Sequence, residues 1–240
     1  MKEQFNEIIR SKDLKEITAD LVEKALDKNI GDDILREIPI MKSLVAARNI
    51  YTSYTDRIFI KKAMNVLLEL GDTNWKERIE LTHDMDDPKS SGTEKILMAI
   101  DNLETIEKCS VFGRLCKLKA LYKIDLHEFK RLTKLIQDAY LDDLDLLSTF
   151  SNRLEKLNQK KNSYRERNDI SMEEFYPLLG LGLIYQEQDE QTPIKVVEPM
   201  SRKDPPPYYK GGETEMLFFI SDLGRLLLYF YNDLFPEKKK

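Results

Sequence analysis

Residues 178–184 read Leu-Leu-Gly-Leu-Gly-Leu-Ile, and residues 220–224 read Ile-Ser-Asp-Leu-Gly. The two stretches bracket a polar, proline-containing segment, and how they join decides the architecture of the C-terminal third. Ahead of the first, Ser171-Met-Glu-Glu174 places Ser three residues before Glu, the spacing of a reciprocal helix cap. The helix it opens is short, because Gly180 and Gly182 end it. Leu183, Ile184 and Tyr185 then have strand composition, as do Ile194–Val197 and Met216–Ile220. The segment 186–215 between them is mostly loop composition and reads as a long insert. Ser221 caps a last helix with Leu223, Leu226, Leu227, Phe230 and Leu234 on one face.

This order, with Leu178, Gly182, Leu183, Ile184, Ser221, Leu223, Gly224 and Leu227 in place, resembles winged-helix domains. In those, a recognition helix ends in a Gly-Leu-Ile turn, a β-wing follows, and a closing helix begins with Ser or Thr and Gly. DNA-binding members carry Arg, Lys, Ser or Asn on the recognition helix, to reach phosphates and base edges. This chain offers Met172, Glu173, Glu174, Phe175, Tyr176 and Pro177, and glutamates repel phosphate. The recognition-helix residues therefore favour a module that contacts protein or is purely structural over one that reads DNA, with Phe175 and Tyr176 as protein-contact candidates. Tyr208 and Tyr209, after Pro205-Pro-Pro207, join them as aromatic anchors in an insert expected to order on binding.

Residues 1–160 predict helices. Leu14, Ile17, Leu21, Ala25 and Leu26 recur at helical spacing up to Gly31. Pro39 suits the first turn of a helix carrying Met41, Leu44, Val45 and Tyr51. From Asp56 to Leu70, Ile58, Phe59, Ala63, Val66, Leu67 and Leu70 face inward, so 38–71 predicts a helical hairpin with one wide apolar face. Phe59 is its contact candidate. Trp75, Ile79 and Leu81 suggest a short helix, followed by a polar loop from His83 to Gly92. Further helices are expected from Thr93, over 110–123, after the Asp125…Glu128 cap, and over 141–163. The expected fold is mainly α: a multi-helix bundle (1–160), a basic linker (161–169), a small α+β winged-helix-like domain (170–236) and a basic tail (237–240).

With 34% charged residues, the chain suits a helical protein with solvated faces. A net charge of −5 gives no global electrostatic case for nucleic acid. The local case is the set Lys156, Lys160, Lys161, Arg165, Arg167, Arg202 and Lys203, which a nucleic-acid-binding regulator would use. Cys109 and Cys116 are seven apart; on a helix their Cα atoms lie roughly 10 Å apart, too far for a disulfide. They read as small core residues in a reducing compartment. His83 and His127 have no cysteine at zinc-ligand spacing. His83-Asp-Met-Asp-Asp87 concentrates oxygen ligands, but lacks the spacing of a calcium loop and reads as a polar turn. No Walker loop, Gly-x-Ser-x-Gly, His-Glu-x-x-His or Gly-x-Gly-x-x-Gly occurs, so no enzyme, metal or cofactor is expected. The charged N-terminus is unlike a signal peptide, and no apolar run reaches a membrane span, so a cytoplasmic chain without membrane insertion is expected.

The segment Ile38-Pro-Ile-Met-Lys-Ser-Leu44, followed by Asp56-Arg-Ile-Phe-Ile-Lys-Lys62, resembles the N-terminal signature of helical bacterial proteins linked to prophages and abortive infection. The resemblance implies a bacterial or phage origin and a role in anti-phage defence through contacts. The leading expectation is a non-enzymatic interaction protein that binds another protein or itself. The nucleic-acid regulator is the alternative. A membrane-acting effector, its 38–70 hairpin lying at a bilayer surface, is a further one.

Overall fold

In the computed structural model the described residues are 2–18, 54–156, 163–165, 172–188, 195–197, 208–210 and 216–238. The chain is mainly helical with small antiparallel β elements. Contacts divide it into two units, Met1–Ala139 with Phe230–Lys240, and Tyr140–Tyr229. The division falls one helix ahead of the basic segment 161–169. Among the described residues, no helix is long and apolar enough to cross a membrane.

The first unit holds α1 (Lys2–Arg10), a helical turn at 14–18, α2 (Tyr54–Leu70), α3 (Trp75–Asp84), α4 (Gly92–Asn102), α5 (Ile106–Ala120) and α6 (Leu126–Asp138). The spacing in α2 buries Phe59, Ala63, Val66, Leu67 and Leu70, as the sequence predicts. The α2 helix packs on α5, whose core residues include Phe112, Leu115 and Cys116. Gly113 permits that approach: a Cβ there would lie 2.9 Å from the Glu69 Cβ and 3.1 Å from the Val66 Cα. Starts are fixed by side-chain caps at Asn74, Ser91, Thr105 and Asp125, each worth about 1 kcal/mol. The Asp125 box forms as expected, with Glu128 accepting from the Asp125 amide. The Asn74…Glu77 box is an equal signal that the sequence reading passed over.

One boundary here needs correction, and one helix has no counterpart in the sequence reading. Helix α1 forms because Phe5, Ile8 and Ile9 share one buried face. Helix α5 spans 106–120 rather than 110–123, because Thr105 caps it. Beyond its cap residue Leu121 the chain turns at Tyr122, whose φ of 55° is left-handed, while the Lys123 amide donates to the Leu118 carbonyl. Glycine usually takes that place. The predicted helix over 39–51 and most of the one over 12–29 lie outside the described residues.

The second unit holds α7 (Leu141–Lys156), β1 (Ser163–Arg165), a 3₁₀ turn (Glu173–Phe175), α8 (Tyr176–Gly180), β2 (Ile184–Gln188), β3 (Lys195–Val197), β4 (Tyr208–Lys210), β5 (Met216–Ile220) and the start of α9 (Asp222–Leu234). An antiparallel sheet runs β1-β5-β2, with Tyr164 opposite Phe218 and Tyr185 opposite Phe219. The β3 and β4 strands pair with each other, Val196 opposite Tyr209. Helix α7 is described over Leu141–Lys156 and residues 157–162 lie outside the described residues, while residues 163–165, expected in the helix end and linker, form a strand. The strand expected at Ile194–Val197 forms as β3, while the run of β2 to Gln188 and strand β4 fall in stretches of the insert read as loop. The unit's core includes Leu144, Leu147, Phe150, Phe175, Leu178, Leu183 and Phe218. Phe150 meets Phe175 edge-on at 5.2 Å.

Candidate interaction surface

The two stretches that open the sequence reading meet at one corner. Gly182 adopts a φ of +70°, which turns the chain out of α8 and into β2. The Ser221 amide donates to the Leu183 carbonyl at 3.0 Å, and the Ser221 hydroxyl donates to the Gly182 carbonyl at 2.6 Å. The same hydroxyl oxygen accepts from the Gly224 amide at 3.0 Å, so Ser221 caps α9 while holding the turn. Gly224 is required because a Cβ would lie 2.3 Å from the Leu183 carbonyl oxygen. One serine and two glycines thus tie the helix end, two strands and the start of the last helix together.

This corner fixes the 3₁₀ turn and α8 over the core. Met172, Phe175 and Leu178 point inward and are fully buried. Glu173, Glu174, Tyr176, Pro177 and Gly180 are exposed. The outward face is therefore acidic and aromatic, with no lysine or arginine between residues 172 and 183. The nearest placed cation, Arg153 of α7, is bound to the Glu174 carboxylate and lies over the Phe175 ring, 5.0 Å from its centroid. The expected cap residue Ser171 lies outside the described residues. The turn opens at Met172 without a side-chain cap.

The contact candidates divide sharply. Tyr176 is half exposed, at 51%, and remains available. Phe59 and Phe175 are corrected to core residues: each sits at a position whose helical neighbours face inward, and burial removes it from any surface. Tyr208 and Tyr209 form β4 together with Lys210; only their backbone pairing with β3 is described. Of the basic candidates, Lys156 ends α7 and Arg165 ends β1, opposite Leu217, with side chains outside the described set. Lys160, Lys161, Arg167, Arg202 and Lys203 lie outside the described residues. Sequence reasoning passed over Tyr140, Tyr185 and Tyr229, all exposed, the last at 80%. The signal for Tyr229 was present, since it falls off the Leu223–Leu227–Phe230–Leu234 face. Tyr185 stacks on Phe219 at 5.2 Å, nearly parallel.

In the first unit, α3 runs through His83 and Asp84, so the loop expected from His83 begins only at Met85, and the acids of 83–87 serve the fold. Asp84 pairs with buried Lys119 at 2.6 Å, and Asp86 accepts from the Gly92 amide at 2.6 Å. Asp87 accepts from the Lys89 and Ser90 amides and binds Lys95. These donors, with the Lys95 bond foremost, hold its carboxyl down at about 2. Among the described residues, no group of three or more metal-ligating side chains comes together. Cys109 and Cys116 are buried, as the sequence reading expects, and burial pushes the Cys109 thiol up to about 11 and Cys116 above its ordinary range. Neither is a ready nucleophile.

No protein-family model matches this chain, and no curated protein or solved structure matches it.

Proposed function

We propose that the second unit is a winged-helix module used to hold another protein, and that the chain is a non-enzymatic interaction protein. The order of helix, Gly-Leu-Ile turn, paired strands β3 and β4, returning strand and closing helix supports the winged-helix reading. The observation that carries the partner class is the outward face of the 173–180 segment. Where a DNA-reading module would present cations, this one presents Glu173, Glu174, Tyr176 and Pro177. Bringing that face to a phosphate backbone adds repulsion, whereas an exposed tyrosine beside proline suits a protein contact. The resemblance of 38–62 supports a setting in anti-phage defence or its regulation, in a chain of bacterial or phage origin.

The test uses the full chain, because residues 230–238 belong to the first unit and a C-terminal truncation would damage both units. Wild-type, Tyr176→Ala and Glu173→Lys proteins are compared in pull-downs from host lysate, with thermal melts as a folding control. A stoichiometric protein partner that is lost in both variants at unchanged melting temperature supports the reading. Recovery of nucleic acid alone, released by moderate salt and retained by both variants, overturns it in favour of the basic residues around 156–167.

A further inference from the structure

We propose that the solvent face of α6 is a docking surface for an acidic protein segment. It is separate from the face at 173–180 and does not depend on the reading given to that face. His127, Lys130, Arg131 and Lys134 stand at i, i+3, i+4 and i+7 of α6, so they form one row along the helix. All four are exposed, while Phe129, Leu132, Leu135 and Ile136 of the same helix are buried. At the rise of an α-helix the row is about 10 Å long.

The charges of this row do little for the fold. Elsewhere in the first unit Lys95, Lys117 and Lys119 each bind an aspartate of another segment. Lys130 and Arg131 have no ion pair or side-chain hydrogen bond among the described residues. Lys134 pairs with Asp138 one turn on, but both side chains are about half exposed or more, and water competes for such a pair. The helix dipole does not account for the row either, since no basic residue lies in the last turn. Lys130 and Arg131 stand four and three residues before Lys134, spacings at which like charges lower helix stability. What the row fits is a set of carboxylates at the same spacing on a facing segment, and the Arg131 guanidinium can take one of them with two parallel bonds. Its ends favour protein over nucleic acid. Asp125 caps the helix before the row, and Asp138 follows it. A DNA duplex carries a charge for about every 1.7 Å of its length, so a backbone laid along the row runs on past both carboxylates. A short acidic segment ends between them.

Fluorescence anisotropy with the full chain tests this. The probe is a labelled alanine-based peptide of about 20 residues, long enough to be helical, with glutamate at i, i+3, i+4 and i+7. Its glutamine counterpart and a labelled DNA duplex serve as comparisons. At low salt the glutamate peptide should bind and the glutamine peptide should not. Lys130→Glu combined with Arg131→Glu should weaken binding at least about tenfold, the scale of one lost charged hydrogen bond. Lys130→Gln combined with Arg131→Gln, which removes the charges without reversing them, should weaken it by less. Lys61→Glu combined with Lys89→Glu makes the same change of net charge at two other exposed lysines and should leave affinity within about twofold, well inside one such bond. The melting temperature of the 130/131 reversal should not fall, because it sets opposite charges four residues apart at 130 and 134. Failure to bind the glutamate peptide, equal losses in the two reversal variants, or a lower melting temperature in the first would each overturn the proposal. Tighter binding of the duplex, lost in the same reversal, would also overturn it and give the row to nucleic acid.

Discussion

Replacing Arg78 should destabilise the first unit more than any surface charge change. Its side chain is 1% exposed, yet it carries a guanidinium. Burial pushes that group below its ordinary value, with Glu77 acting in the opposite direction. What compensates the burial is a set of backbone acceptors. The guanidinium donates to the carbonyls of Ile9 at 2.6 Å, Ser11 and Thr73, with Leu70 at 3.5 Å. Ile9 and Leu70 lie in the last turns of α1 and α2, where carbonyls lack helical partners. One cation therefore closes two helix ends and joins the N-terminal helix to α3. In Arg78→Met most of the volume stays, the desolvation of a charge disappears, and three backbone acceptors lose their donor. Orphaned acceptors cost roughly 1–3 kcal/mol each, and the relief of desolvation offsets part of that, leaving a net loss of about 2–4 kcal/mol. Against a typical 5–15 kcal/mol, such a loss is large. Trp75 is the only tryptophan and starts the helix that carries Arg78, so its fluorescence in a urea titration reports this unit. The midpoint should fall, and amides of α1 should lose protection first. A variant within about 0.5 kcal/mol of wild type, the usual range for an ordinary surface change, would refute the reasoning.

Three further outcomes follow from local geometry. Gly224→Ala should cost about 1–3 kcal/mol and disturb the 182–184 turn, since the new methyl meets the Leu183 carbonyl; a neutral melt would contradict the close approach. Tyr122→Gly should raise stability by up to about 1 kcal/mol by relieving a left-handed residue, partly offset by glycine's entropy; a clear loss would argue against that strain. Asp87 has a folded pKa lowered to about 2 from 3.8, so its contribution is present above the unfolded value and is lost as pH falls through the folded one; carboxyl titration by NMR reads the value, and Asp87→Asn should remove that part of the acid dependence between about pH 4 and 2.

What could be read in the sequence was whatever a single element encodes by itself. The α2 spacing, the Asp125 box and the Ser221 cap are local patterns with local causes, and the chain realises them. Strand β1 was invisible because its three residues, Ser163–Arg165, carry no period and are placed by pairing with β5. Strand β4 was hidden for the same reason, behind three prolines. Gly113 reads as an ordinary residue until another chain segment lies within contact distance. The site suffered from one recurring misreading. Aromatic character marks Phe59 and Phe175 as anchors, whereas the spacing of their inward neighbours sets both in the core. The same spacing would have set Tyr229 outside.

The charge-rich composition also means less for partner choice than it first suggests. Many of the described cations already have internal partners. Lys119 holds Asp84, and Lys117 holds Asp72 with Lys15 alongside. Lys108, almost wholly buried, bridges Glu104 and the Gln137 carbonyl. Lys95 serves Asp87 and the Met85 carbonyl, Lys134 pairs with Asp138, Arg114 holds Glu69 and Glu237, and Arg153 holds Glu174. A phosphate backbone would have to compete with these carboxylates for the same donors, and each exchange would leave an acid beside the phosphate. The counterion release that drives nucleic-acid binding needs cations free to neutralise phosphates. The exposed segment 173–180, where Glu173, Glu174 and Tyr176 point outward, contains no lysine or arginine of its own. The paired charges of the described helical faces thus serve the fold first, which is compatible with the protein partner proposed above.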